Sequence, residues 1–89
     1  MSITAIGDLE PRRRATMSGE ILSVVSHELP WVRTDAEVDD GTGVVVLRFM
    51  GRALVPGLDS GRHIVADGTP SVRDGVLVVL NPLYQFVAG

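Results

Sequence analysis

Apolar and polar positions alternate along this chain in short runs, each closed by Gly, Pro, Asn or Asp, and that period of two is the signature of strands. The clearest run is Trp31 to Val38. It puts Val32, Thr34, Ala36 and Val38 on one face and Trp31, Arg33, Asp35 and Glu37 on the other, predicting a half-buried strand. Asp39-Asp40-Gly41-Thr42-Gly43 follows and predicts a hairpin turn, because Asp-Gly tolerates the positive φ that a tight antiparallel turn needs. The next run, Val44 to Met50, is apolar on both faces; the side carrying Val45, Leu47 and Phe49 is assigned inward, and Val44, Val46, Arg48 and Met50 outward.

The remaining runs are less regular. Arg14 to Val25 carries Gly19 at its middle, which predicts a bulge or bend in a long first strand. Gly51 to Gly61, with Pro56-Gly57 and Asp59-Ser60, has room for a turn or a short helix and reads as a corner. A fourth run from Arg62 to Arg73 is interrupted at Gly68; after Asp74-Gly75 a fifth runs from Val76 to Val87 across Asn81-Pro82. The expectation is all-β, with five strands.

Composition narrows the class without naming a function. The 89 residues hold one domain, expected as an N-terminal arm over residues 1–13 and a folded unit over 14–89. Fourteen valines against six alanines favour strands. There are no cysteines, so disulfides, thiolate metal sites and a Cys nucleophile are excluded. No apolar stretch is long enough for a membrane helix, the first residues lack the pattern of an export signal, and the cytoplasm is the expected location. Eight arginines stand against eleven acids for a net charge of −3, and no third of the chain is net basic. A polyanion would therefore have to be held by a local patch.

Catalytic and metal chemistry fails on spacing. His27 and His63 are the only neutral-pH bases, and His63 is too far along its strand from Asp67 to pair with it. The acids Asp35, Glu37, Asp39 and Asp40 resemble a calcium loop only until its required glycine falls one place late and Val46 stands where a carboxylate should close the site. They read as a solvated strand face. Gly41-Thr42-Gly43 precedes a strand and is a turn, not a dinucleotide fingerprint. No catalytic residue, metal or cofactor is expected, and the chain is not expected to be an enzyme.

Asp40-Gly41-Thr42-Gly43, Phe49-Met50-Gly51-Arg52, Pro56-Gly57-Leu58, Gly61-Arg62, Gly68 and Asn81-Pro82 with Tyr84 occur in an order that resembles the OB-type modules found as the wedge domain of RecG-like helicases and as small stand-alone proteins of high-GC bacteria. That resemblance covers about residues 14 to 86. It implies a five-stranded Greek-key OB-fold barrel that binds single-stranded or branched nucleic acid on the outer face of its second and third strands. The matching positions are Trp31 and Arg33 from the second strand and Arg48 from the third, extended by Arg52, with Arg73 from the loop between the last two strands. Asp35 and Glu37 continue the same face and would repel phosphates, so modest, salt-sensitive affinity is expected. Trp31 could stack a base or cover the barrel end, and Arg12-Arg13-Arg14 could reach a phosphate or be a solvated entry to the first strand. An alternative from another class is a protein-interaction or homodimeric barrel using the outward stripe Val44, Val46 and Met50.

Overall fold

The computed structural model describes residues 2–88. Its strands are β1 (Ala15–His27), β2 (Arg33–Asp39), β3 (Val44–Met50), β4 (His63–Gly68), β5 (Pro70–Arg73), β6 (Val76–Leu80) and β7 (Leu83–Val87), with one 3-10 turn at Ile6–Asp8. All-β is therefore right. The expected count of five strands is not, because the fourth and fifth runs are each broken once. β4 gives way to β5 where Pro70, which has no N–H to donate, begins a new ladder. β6 gives way to β7 at Asn81, which adopts φ +47°, and Pro82. Gly68 and Asn81-Pro82 mark both places in the sequence, but as bends within single strands and not as strand ends.

The hydrogen-bonded order is β5-β6-β3-β2-β1-β4-β7. The β3–β6 pair is parallel and every other pair is antiparallel. The ladder is thus one open seven-stranded sheet, and the expected closed five-stranded ring of hydrogen bonds is not what the strands form. β1, between β2 and β4, changes partner midway: Ala15 to Glu20 pair with β4, and Glu20 to His27 pair with β2.

The inward faces predicted for the hairpin are observed except at Val32, which precedes β2 and is exposed. Thr34, Ala36 and Val38 of β2, and Val45, Leu47 and Phe49 of β3, are all buried. Val55 and Leu58 drop into the same core from the connection between β3 and β4, which is built of turns with no helix.

Gly19 differs from its expected role. The register irregularity in β1 lies between Ile21 and Ser23. What Gly19 provides is clearance: a Cβ there would stand 2.6 Å from the Asp39 carbonyl oxygen and 2.9 Å from Val38 Cγ1.

Ile6 and Gly7 lie against the turn end of the β2–β3 hairpin, while Thr4 bonds to Thr16 and Arg12 to Pro70. The Ile6 N–H donates to Asp40 Oδ2 at 2.9 Å and the Gly7 N–H to Thr42 Oγ1 at 2.8 Å, while Ile6 and Leu9 are buried in the core. Asp40 Oδ1 also accepts from the Thr42 N–H and hydroxyl, at 2.9 and 2.6 Å. The Ile6 N–H, foremost, and the Thr42 hydroxyl lower its pKa to about 2. Asp40 is an anchor, and reading it as part of a merely solvated acidic face missed this.

Candidate nucleic-acid interface

β2 and β3 pair with Arg33 opposite Met50 and Asp35 opposite Arg48, so one outward surface carries both arginines predicted to share it. β2 begins two residues later than its sequence pattern suggests. The reason is that β3 runs out: Gly51, at φ +76°, turns the partner strand away, and its N–H makes a last bond to the Val32 carbonyl at 2.7 Å. Trp31 is thereby left in the loop before β2, 69% exposed.

That loop closes one end of a groove of about 390 Å³ lined by Pro30, Trp31, Arg33, Arg48, Met50, Arg73 and Leu80. Four of the five predicted binding residues meet here: Trp31, Arg33, Arg48 and Arg73. The fifth, Arg52, does not line the groove. It lies past the end of β3, where its carbonyl accepts the Thr34 hydroxyl at 2.7 Å. Arg73 reaches the site because β6 runs parallel beside β3 and carries the β5–β6 hairpin with it.

The groove continues into a second stretch of about 380 Å³ whose lining includes His27, Asp35, Glu37, Arg48, Arg73 and Asp74. Arg48 and Arg73 line both stretches, and Asp35 lines the second, beside Arg48. Arg48 donates to it twice, Nε to Oδ1 at 2.9 Å and Nη2 to Oδ2 at 3.2 Å, and this pairing raises the Arg48 pKa above its ordinary value. Arg33 Nε is 3.8 Å from Asp35 Oδ2 and His27 Nε2 4.0 Å from it. Arg33 Nε is buried without a hydrogen-bond partner, while its Nη1 leans on the Leu29 carbonyl at 3.5 Å. Asp35 was expected to continue the face as a repelling charge; it is also the clamp that orders the arginines. The turn alone did not give this away: a two-residue turn at Asp40-Gly41 would set Asp35 opposite Val46, and only the four-residue loop that pairs Asp39 with Val44 sets it opposite Arg48, where opposite charges facing across two strands attract.

The N-terminal arginines lie elsewhere. Arg13 pairs with Glu10 at 3.2 Å and Arg14 with Asp67 at 2.7 Å; the Thr16 hydroxyl, first, and Arg14 hold Asp67 below the usual carboxylate range. Arg13 and Arg14 line a separate hollow that shares no residue with the Trp31 groove. Tyr84 and Phe86 turn toward the core, stacked edge to face with each other, and Tyr84 likewise with Phe49. Among the described residues no three His, Cys, Asp or Glu side chains gather as metal ligands, and no helix is long and apolar enough to cross a membrane.

No family model and no curated protein matches the chain. Ten chains of solved structures do. One of them, the structure of RecG bound to a three-way DNA junction, is similar over 99% of this chain with a TM-score of 0.78 and 21% sequence identity. This chain spans 13% of the length of that one. At that identity the likeness is one of fold, and this part of the expected resemblance holds: the chain has the fold of a RecG segment.

Proposed function

We propose that the protein is a non-catalytic nucleic-acid-binding module of OB type, taking single-stranded or branched nucleic acid at the Trp31 groove and acting in the cytoplasm. In this reading β4 with β5, and β6 with β7, are the fourth and fifth strands of the Greek-key barrel, each broken once. The parallel β3–β6 pair and a first strand shared between β2 and β4 support it, as does the likeness to a RecG structure that holds a DNA junction.

The observation that carries the proposal is the convergence of an exposed indole with Arg33, Arg48 and Arg73 on one groove. An aromatic face stacks a base and guanidinium groups take its phosphate, a combination that tolerates many sequences. The chain's net charge of −3 keeps affinity modest and steeply dependent on salt. The test uses Trp31, the only tryptophan. Short oligonucleotides should quench its fluorescence at low salt, the signal should recover as salt rises, and Arg33→Gln with Arg73→Gln should weaken the response sharply. An unresponsive indole refutes the proposal.

One observation favours a second reading, that of a protein-interaction surface. Leu29 and Leu54 are 83% and 77% exposed, and Val44, Val46 and Met50 face outward from β3. A flat titration together with a concentration-dependent dimer in sedimentation would select it.

A further inference from the structure

The groove is not uniform along its length. No carboxylate lines the Trp31 end, where three arginines stand beside Trp31, Met50 and Leu80. Beyond Arg48 the lining turns acidic, with Asp35, Glu37 and Asp74 facing it. Both Asp35 oxygens already fill the Nε/Nη2 fork of Arg48, the bidentate geometry in which a phosphate would otherwise be held. The aromatic supply is equally local. Phe49 is buried, and Tyr84 and Phe86 are partly buried against the core, so of the Phe, Tyr and Trp side chains Trp31 alone is exposed.

We propose, resting on the nucleic-acid reading above, that the site takes one stacked base and its flanking phosphate, and that Asp35 ends it by occupying the place where the next phosphate would bind. The footprint is then about two nucleotides, below the roughly 4–16 that an OB fold usually covers. One ring stacks one base. The adjoining phosphate falls to Arg33 and Arg73, and a strand continuing along β2 and β3 meets carboxylates. Asp35 is thus a specificity-determining residue: it selects ends, gaps and single unpaired nucleotides over long single strands.

Oligothymidylates of one to six nucleotides, titrated against Trp31 fluorescence at low salt, test this. For the native chain, affinity should level off by the second or third nucleotide. In Asp35→Asn it should keep rising with length, the hexamer binding about five- to tenfold tighter, with a salt slope steeper by about 0.7, one single-strand phosphate's worth. The mononucleotide should change little. Native affinity that climbs steadily to the hexamer overturns the proposal, and so does an Asp35→Asn variant that binds the hexamer no tighter. Should Asp35→Asn fail to fold, Glu37→Gln and Asp74→Asn, both at exposed positions, must shift hexamer affinity in the same direction by a smaller factor; no shift refutes the idea. Absence of quenching at every length, in native and variant chains alike, removes the nucleic-acid reading itself. Quenching with the wrong length dependence removes only the footprint.

Discussion

The β2–β3 hairpin has two ends that solve opposite problems. At its turn end, Asp39, Asp40, Thr42 and Gly43 are pressed against other backbone: Gly19 beneath Asp39 and Gly7 against Thr42, each with a would-be Cβ 2.6 Å from a carbonyl oxygen. At its open end, Trp31, Arg33, Arg48 and Met50 line a groove that no other segment fills. The same two strands, with the same alternation of faces, thus give a closed joint and an open surface. What separates them is the neighbour each end meets, the N-terminal segment at one and solvent at the other. Substitutions at the turn end should therefore cost stability and spare binding, and those at the open end the reverse.

The largest effect should come from Gly19. Gly19→Ala already puts a methyl against both the Asp39 carbonyl and Val38 Cγ1, and Gly19→Val adds two further methyl groups to the same Cβ. Two paired strands cannot separate locally without losing their ladder, so we expect a loss of at least ~2 kcal/mol for valine, or about 10 °C or more in Tm for a domain of this size. Thermal unfolding followed by circular dichroism checks it. Unchanged Tm would mean that β1 and β2 are not so closely apposed.

In the groove at the open end, Arg33→Gln with Arg73→Gln should weaken oligonucleotide binding by about 100-fold at low salt, the order expected for removing two phosphate partners, while Tm shifts little. Arg48 keeps both of its bonds to Asp35 in that variant, so the carboxylate is not left alone, and the exposed Arg73 adds little to stability. Trp31→Ala should cost less, about 1–3 kcal/mol of binding for one lost base stack, with Tm unmoved because the ring has few protein contacts to lose. A Tm that falls sharply in Trp31→Ala would turn the indole into a lid on the fold and break the contrast.

The two ends also differ in how far they could be read from residues alone. Alternation placed Arg33 and Arg48 outward and Phe49 inward, because one buried face fixes the register of a hairpin. It could not place Trp31, whose strand position depends on where the partner strand turns away at Gly51. Nor could it bring Arg73 to the groove, since that depends on a parallel pairing between distant segments. Gly68 and Asn81-Pro82 were visible as interruptions, but that the ladder changes partner there was not, because partner exchange is a tertiary event. Asp40 shows the limit most clearly. Within its own run it is one acid among four, and only the Ile6 N–H, 34 residues away in sequence, makes it an anchor.

That anchor gives the smallest effect and the most specific one. The pKa of Asp40 falls from 3.8 to about 2 on folding. Between those values the unfolded chain binds more protons than the folded one, so the stability this carboxylate contributes is complete above about pH 4 and fades as pH drops toward 2. Asp40→Asn keeps one acceptor and loses the charge. Near pH 6 the variant should melt below the native chain by about 4–8 °C, the equivalent of roughly 1 kcal/mol for a lost charged cap. The gap should narrow steadily as both are acidified from about pH 4 to pH 2, where the native carboxylate is itself taking up its proton. Asp67, also lowered on folding, acts in the same window but is common to both chains and cancels in the difference. A gap that stayed constant with pH would assign the effect to the shape of the side chain and not to its charge, leaving the Ile6 and Thr42 donors as ordinary neutral bonds and the turn end held by packing alone.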